Sequence, residues 1–192
     1  MNIDAIVDGL DGYAPQRIDP GSQVRAAVLV ALQAGQHGAE VVLTRRSRSL
    51  GSHAGQVAFP GGRIDPDDVS VEAAALREAH EELGIPFDSV RMIGELDHVM
   101  SSTGYHVTPL VGVLRPSTPL VANPAEVERV FCVPLARLAV LSAWERRSHR
   151  YHGLSVQLWH FAWDGEDIWG MTAHTLRGLL ERVTEICTVQ AP

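Results

Sequence analysis

Lysine is absent from this 192-residue chain; its sixteen basic residues are all arginine. Arginine grips carboxylates and phosphates through a planar bidentate fork, although genome composition is an equally good source of the bias. Acids outnumber bases by 23 to 16, for a formal net charge of −7. That balance argues against a surface built to track long nucleic acids, so no nucleic-acid partner is expected. Long hydrophobic runs are missing too. The longest, Ala26 to Leu32, falls far short of the roughly 20 residues a bilayer crossing needs, so no membrane partner is expected. Cysteine is scarce. Cys132 lies in the apolar run Val130-Phe131-Cys132-Val133 and Cys187 far from it, so both read as packing residues rather than a disulfide. Met1-Asn2-Ile3-Asp4 shows no basic stretch leading into an apolar one, and Val189-Gln190-Ala191-Pro192 is no peroxisomal address. The resulting expectation is a cytoplasmic protein of unassigned oligomeric state.

What is present is the composition of an ordinary globular protein, 45% hydrophobic and 20% charged. The length fits one domain. Residues 1–22, with Pro15 and Pro20, read as a short helix and arm, 23–185 as the domain and 186–192 as a tail. Strands are expected at Val24 to Leu32, Ala39 to Thr44, Gln56 to Phe59, Arg91 to Val99, Tyr105 to Leu114, Glu128 to Val133 and Ser155 to Ala162. A short helix follows Pro134 and a final one covers Thr172 to Arg182. The clearest helix runs from Val71 to Leu83, with Ser70 as N-cap, Gly84 at its C-terminal turn and Pro86 blocking continuation. Strands around one central helix imply an α/β fold with a mixed sheet.

The spacing within Arg77-Glu78-Ala79-His80-Glu81-Glu82 carries the chemistry. At 100° per residue, Glu81 and Glu82 fall about 60° and 40° to either side of Glu78, so three carboxylates share one helix face. The wheel sets that face opposite an apolar stripe of Leu76, Ala79 and Leu83, with Ala74 and Ala75 leaving room beside the acids. His80 projects elsewhere. Like charges at i and i+4 repel, and a hard divalent cation is the natural remedy. Acidic runs on helices are commonly just solvated surface. The glycine turn Phe59-Pro60-Gly61-Gly62 upstream favours the metal reading, because a backbone carbonyl there can complete a cation's shell.

These residues resemble the signature of the Nudix family: a Gly, a spacer containing Glu, then Arg-Glu-apolar-any-Glu-Glu-any-Gly-apolar. Here Gly62 is followed by Arg77-Glu78-Ala79-His80-Glu81-Glu82-Leu83-Gly84-Ile85. The spacer is one residue longer than usual. Val69 stands where the customary Glu is counted back from Arg77, leaving Asp67 or Asp68 as its nearest substitutes. The resemblance implies the Nudix α/β/α sandwich, with Mg²⁺ or Mn²⁺ held by Glu78, Glu81, Glu82 and the Gly62 carbonyl. One of the glutamates would help deprotonate water, and Arg77 would orient a carboxylate. Glu126, in Asn123-Pro124-Ala125-Glu126-Val127, stands where the family often places a further acid, a base or outer metal ligand; the alternative is a solvent-facing loop residue.

A second stretch, Leu43-Thr44-Arg45-Arg46-Ser47 with Gly55 to Asp65, resembles the coenzyme A diphosphatase branch. So do Gly94 to Asp97, Tyr105 to Pro109 and Ile168 to Ala173. The branch usually has Arg where this chain has Gly51. The implied reaction splits coenzyme A, or an acyl or oxidised form, into 3′,5′-ADP and a 4′-phosphopantetheine product. Arg45, Arg46 and Arg48, with the turn Gly61-Gly62, are the expected substrate contacts; an exposed basic patch is the alternative reading of the arginines. Rival functions are hydrolysis of another nucleotide such as ADP-ribose or NADH, and nucleotide sensing without turnover. His98, His106, His149, His152 and His160 show no ligand spacing, and Tyr105, Trp159, Trp163 and Trp169 suit a core better than an adenine stack.

Overall fold

The computed structural model describes residues 1–151 and 153–189, with side chains through 183. His152 and the side chain of Cys187 lie outside the described residues. In chain order the elements are α1 (Ile3–Leu10), β1 (Val24–Gly35), β2 (Gly38–Arg46), β3 (Val57–Ala58), β4 (Gly61–Arg63), α2 (Val71–Leu83), β5 (Val90–Glu95), β6 (Val99–Met100), β7 (Tyr105–Leu114), β8 (Val127–Pro134), α3 (Leu135–Leu138), β9 (Trp144–Tyr151), β10 (Leu154–Trp163), β11 (Glu166–Trp169) and α4 (Gly170–Val189).

β1 to β8 form one mixed sheet. β1 runs parallel to β7, and the other pairings are antiparallel. Geometry near the first hairpin prepares the site. β1 pairs with β2 only over Leu32 to Gly35; beyond that the strands part, and the segment around Pro60 fills the gap. There β3 pairs with β2 at Thr44 and Arg45, while β4 pairs with β1 from Ala26 to Val28. Gly61 adopts φ 153°, and a Cβ there would lie 2.4 Å from the Ala27 carbonyl oxygen. Only glycine fits so close to a neighbouring backbone.

Side chains alternate across the sheet and pack into two cores, as a period of two requires. On one face Ala27, Leu29 and Ala31 meet Ala74, Ala75, Ala79 and Leu83 of α2. On the other, Val28, Val30 and Leu32 meet α1 and α4 through Ile6, Leu10, Leu176 and Leu179. The sheet between helices is the expected α/β/α arrangement. α1 is an integral part of its core, with Ile6 fully buried. α4 extends beyond the expected Arg182, through the first residues of the stretch read as a tail.

A second, three-stranded antiparallel sheet, β11-β10-β9, packs beside α4 through Trp144, Phe161 and Ile168. Two of its strands were not legible in the sequence. β9, Trp-Glu-Arg-Arg-Ser-His-Arg-Tyr, is exposed along most of its length and lacks apolar alternation; β11 has four residues. α2 begins and ends where expected: Ser70 Oγ accepts the Ala73 N–H at 3.0 Å, and Gly84 closes the helix at φ 64°.

One expectation about α2 is corrected. Its acids do not face away from the apolar side. Glu82 is 2% exposed and lies among Ala74, Ala75, Ala79 and Leu83 on the sheet-facing side, while Leu76 is only partly buried. Ala74 and Ala75 are core residues and leave no ligand space. The wheel gave relative angles correctly; which arc turned inward was decided by the small alanines, which allow close approach to β1.

Candidate active site

Glu78 and Glu82 meet the glycine turn where β1 and β2 part. Glu82 Oε2 accepts the Gly61 N–H at 3.3 Å, and its Oε1 faces Arg46 Nη1 at 3.4 Å. Glu78 lies against Gly62 so closely that a Cβ there would fall 2.5 Å from the carboxylate carbon. Any larger residue at 62 would expel that carboxylate. Glu126 belongs to the turn before β8, whose backbone joins the site when Ser47 N–H donates to the Glu126 carbonyl at 2.7 Å.

Charge shapes this group. Burial raises the Glu82 carboxyl to about 7; Arg46 and the Gly61 N–H oppose the shift, and Glu78 and Glu126 add to it. Glu78 is also raised, first by burial and further by Glu81 and Glu126, with Arg77 working against them. Both acids are thus held above the ordinary carboxylate range despite facing arginines, because desolvation outweighs those partners. A concentrated, oxygen-only acidic set beside a backbone turn matches the donors a hard divalent cation takes. Gly62, Glu78, Glu81, Glu82 and Glu126 therefore fit such an ion in kind. Glu78 and Glu81 are at present turned to Arg77, Glu82 to Arg46 and Glu126 to the Asn123 amide, and among the described residues no three acidic, histidine or cysteine groups converge on one point. Glu81, 48% exposed, is drawn onto Arg77 at 3.1 Å.

Arg77 organises the helix side of the site. Its Nη1 donates to Glu78 at 3.0 Å and Glu81 at 3.1 Å, and its Nη2 donates to the Arg63 carbonyl at 3.0 Å. Its remaining donors grip Asp68, Nε at 3.0 Å and Nη2 at 2.9 Å. This fork lowers the Asp68 pKa and raises that of Arg77. Asp68 is thus the partner the sequence left open between Asp67 and Asp68. Val69, at the register counted back from Arg77, is 93% exposed. Counting forward from Gly62 would have selected Asp68: the extra residue lies after it, between Asp68 and Arg77.

The three arginines expected at the substrate separate. Arg46 joins the acidic group. Arg45 turns to the other sheet face, onto Glu166 at 2.9 Å and Glu128 at 3.0 Å. Arg48 is 80% exposed and stands 3.6 Å from Glu128. His80 takes no part, its ring stacking on Phe87. His53, at φ 55°, ties the loop after β2 together through Gln56 at 2.9 Å and Thr103 at 3.3 Å. Trp163 donates to the Cys132 carbonyl at 3.0 Å, Tyr105 receives Arg63 at 3.1 Å, and Trp169 stacks on His149. No helix among the described residues is long and apolar enough to cross a membrane.

The NUDIX domain profile matches residues 23–153. An uncharacterised Nudix hydrolase, NudL, of Photorhabdus laumondii is 46% identical over 143 residues, covering 74% of this chain and 76% of its own. Its namesake in Yersinia pestis is 41% identical over 160 residues, covering 83% and 80%. Among solved structures, DR0079 from Deinococcus radiodurans superposes with TM-score 0.53 at 21% identity, covering 84% of this chain and 87% of its own. The Nudix hydrolase RenU of M. smegmatis gives 0.51 at 18%, covering 88% and 89%. Those two likenesses speak for the fold alone. The profile and the NudL relatives, together with the acidic helix set against Gly61-Gly62, identify the chain as a member of the Nudix hydrolase family.

Proposed function

We propose that this enzyme hydrolyses the diphosphate linkage of coenzyme A or its acyl or oxidised derivatives, releasing 3′,5′-ADP and a 4′-phosphopantetheine product. One observation carries the reading. The stretch resembling the coenzyme A branch folds around the acidic helix: Arg46 and Gly61 both contact Glu82, and Gly62 lies against Glu78. Residues of the branch motif and the Nudix helix thus form one cluster.

Glu78, Glu81, Glu82 and the Gly62 carbonyl would hold Mg²⁺ or Mn²⁺. Such an ion, when bound, neutralises diphosphate charge and makes water more acidic. The protein's own groups supply the rest. Arg77, clamped by Asp68, fixes Glu78 and Glu81 relative to the β4 backbone. Glu126, whose charge acts on both Glu78 and Glu82, would accept a proton from attacking water. Arg46 and the Gly61 N–H offer positive charge to a substrate phosphate as well as to Glu82. Arg45 is committed to Glu166 and Glu128, so Arg46 is the better candidate contact of the two.

The test is mass spectrometry of products formed from coenzyme A in ¹⁸O-water with Mn²⁺ or Mg²⁺. Label in one of the two named products, and no turnover under chelation, is expected. Dephospho-coenzyme A run alongside reports the contribution of the 3′-phosphate. Turnover of ADP-ribose or NADH with coenzyme A left intact would overturn the substrate, and tight binding without any product would overturn the enzyme.

A further inference from the structure

On the sheet face opposite α2, a cleft of about 290 Å³ opens between α4, Trp159 of β10 and the segment joining β5 to β6. Three features of its lining lack a structural explanation. The first is Arg177. Its side chain is only 19% exposed, with the guanidinium over the Trp159 ring at 4.2 Å and the Trp144 ring at 5.5 Å. Its nearest carboxylate oxygen, on the exposed Glu181, stands 3.7 Å away, beyond hydrogen-bond reach. Among the described residues the guanidinium has no hydrogen-bond acceptor, so its donors are left to whatever enters the cleft. The second is Thr175, 5% exposed, whose hydroxyl has no partner among the described residues although it is itself out of solvent reach. The third is Gly178, in the interior of α4. A helix-interior glycine costs about 1 kcal/mol relative to alanine, yet among the described residues, its own helix backbone apart, nothing lies within 4 Å of where its Cβ would be. Packing against the described residues therefore does not account for the glycine.

Of the two arginines lining the cleft, Arg177 pairs at 3.7 Å with the exposed Glu181 and Arg182 at the same distance with the half-buried Asp97. Asp97 is occupied by the Tyr13 hydroxyl, by the Gln16 N–H at 2.6 Å and by Arg182 at 3.7 Å. Arg182 in turn lies over the Tyr13 ring. His174 and Glu181 sit at the exposed rim. A guanidinium with unused donors, backed by an indole ring, suits a planar or tetrahedral oxyanion that accepts two N–H bonds.

We propose that this cleft is a second ligand site, which takes a carboxylate or phosphate group on Arg177 with Trp159 beneath it. The pairings Val99↔Val107, Val107↔Ala26 and Ala26↔Arg63 set the cleft's edge and the residue after Gly62 in one row across four strands. Three strand spacings amount to about 14 Å. The oxyanion is therefore either the far end of a long substrate or a separate small anion, and the site does not depend on which diphosphate is cleaved.

The test begins with full-length protein under chelation, so that cation-mediated binding at α2 contributes nothing. Inorganic phosphate is titrated while tryptophan fluorescence is read, since Trp159 and Trp144 flank Arg177. Saturable quenching is expected, weakened at least tenfold by Arg177→Gln, as loss of charge-assisted bonds implies. Arg177→Lys should keep part of it. Gly178→Leu, which fills open space on a helix, should abolish it while leaving the melting temperature unchanged or higher. In the metal-loaded enzyme, a raised KM at constant kcat in Arg177→Gln, with phosphate competing, marks the far end of the substrate. A phosphate effect that does not compete marks a separate anion. No saturable quenching in the native protein, or equal quenching in Arg177→Gln and Gly178→Leu, overturns the site.

Discussion

Two neighbouring arginines each reach a buried glutamate, and the two pairs are built to opposite ends. Arg45 meets Glu166, 5% exposed, at 2.9 Å, and Arg129 closes on the same oxygen at 2.8 Å. One carboxylate between two guanidiniums is satisfied by the protein itself. Arg46 meets Glu82, 2% exposed, at 3.4 Å, and a single backbone N–H supplies the other oxygen. Around Glu82 the further charges, Glu78 and Glu126, have its own sign. Burial alone therefore does not separate a structural acid from a functional one; what separates them is whether the fold supplies the counter-charge or leaves it to a ligand.

The largest test of that contrast exchanges each glutamate for glutamine. Glu82→Gln should lower turnover by about 10³-fold or more, since it removes a charge that would hold the cation. It should also melt at or above the native temperature, because it removes a buried charge set among like charges. Glu166→Gln should do the reverse. It takes from Arg45 and Arg129 the buried carboxylate they share, leaving each its more exposed partner, Glu128 and Asp164, and should cost about 1–3 kcal/mol, while kcat per folded molecule stays near native. Denaturant melts and active-site-normalised kinetics on both variants decide. If the two lose activity and stability in the same proportions, the contrast fails.

The second test is pH. Glu82 is held at about 7, above the 4.5 of a free glutamate, and Glu78 shifts the same way. A folded state that binds these protons more tightly than the unfolded chain gains most below pH 4.5, and loses that gain as pH rises through about 7. Metal-free protein should therefore show, from this group, a melting temperature that declines over that window. Mn²⁺ added at pH 8 should restore it, and Glu82→Gln should flatten the slope. Glu166→Gln should keep both the slope and the Mn²⁺ response. A slope that survives Glu82→Gln would place its source elsewhere.

How much of this was legible in the sequence follows from how local each signal is. α2 was readable to the residue, because Ser70, Gly84 and Pro86 fix its ends through contacts a few residues long. β1, β2 and β7 were readable as strands because each is a mostly apolar run bounded by turn residues, whereas their order across the sheet was not. β9 was not: its seven residues after Trp144 are polar or aromatic, and its place is set by pairing with β10 rather than by its own pattern. Similarly, the strand expected to end at Thr44 left Arg45 and Arg46 in a loop; β2 runs on to Arg46, and the period of two then sends them to opposite faces. Nor did the sequence show that Ala74 and Ala75 would turn Glu82 toward the sheet. Such facts belong to packing, which spacing constrains and does not determine.

The smallest effect concerns Asp68, and it sharpens the contrast by asking what holds the arginine that holds the acids. Asp68→Asn removes the charge of the fork on Arg77 but keeps an acceptor, so Arg77 should loosen from Glu78 and Glu81 without leaving. Turnover should drop by about tenfold, in line with the weakening of a charge-assisted pair, with little change in melting temperature. Val69→Glu places an acid at the register counted from Arg77. That position is 93% exposed, so the substitution should change stability by less than about 0.5 kcal/mol and leave turnover alone. The double variant decides between the two registers. If Glu at 69 restores activity to Asp68→Asn, then Arg77 can be fixed from either position and the bidentate contact with Asp68 is incidental. If activity stays low, the clamp depends on the backbone between Gly62 and Asp68, and the extra residue before Arg77 is accommodated without disturbing the carboxylates it positions.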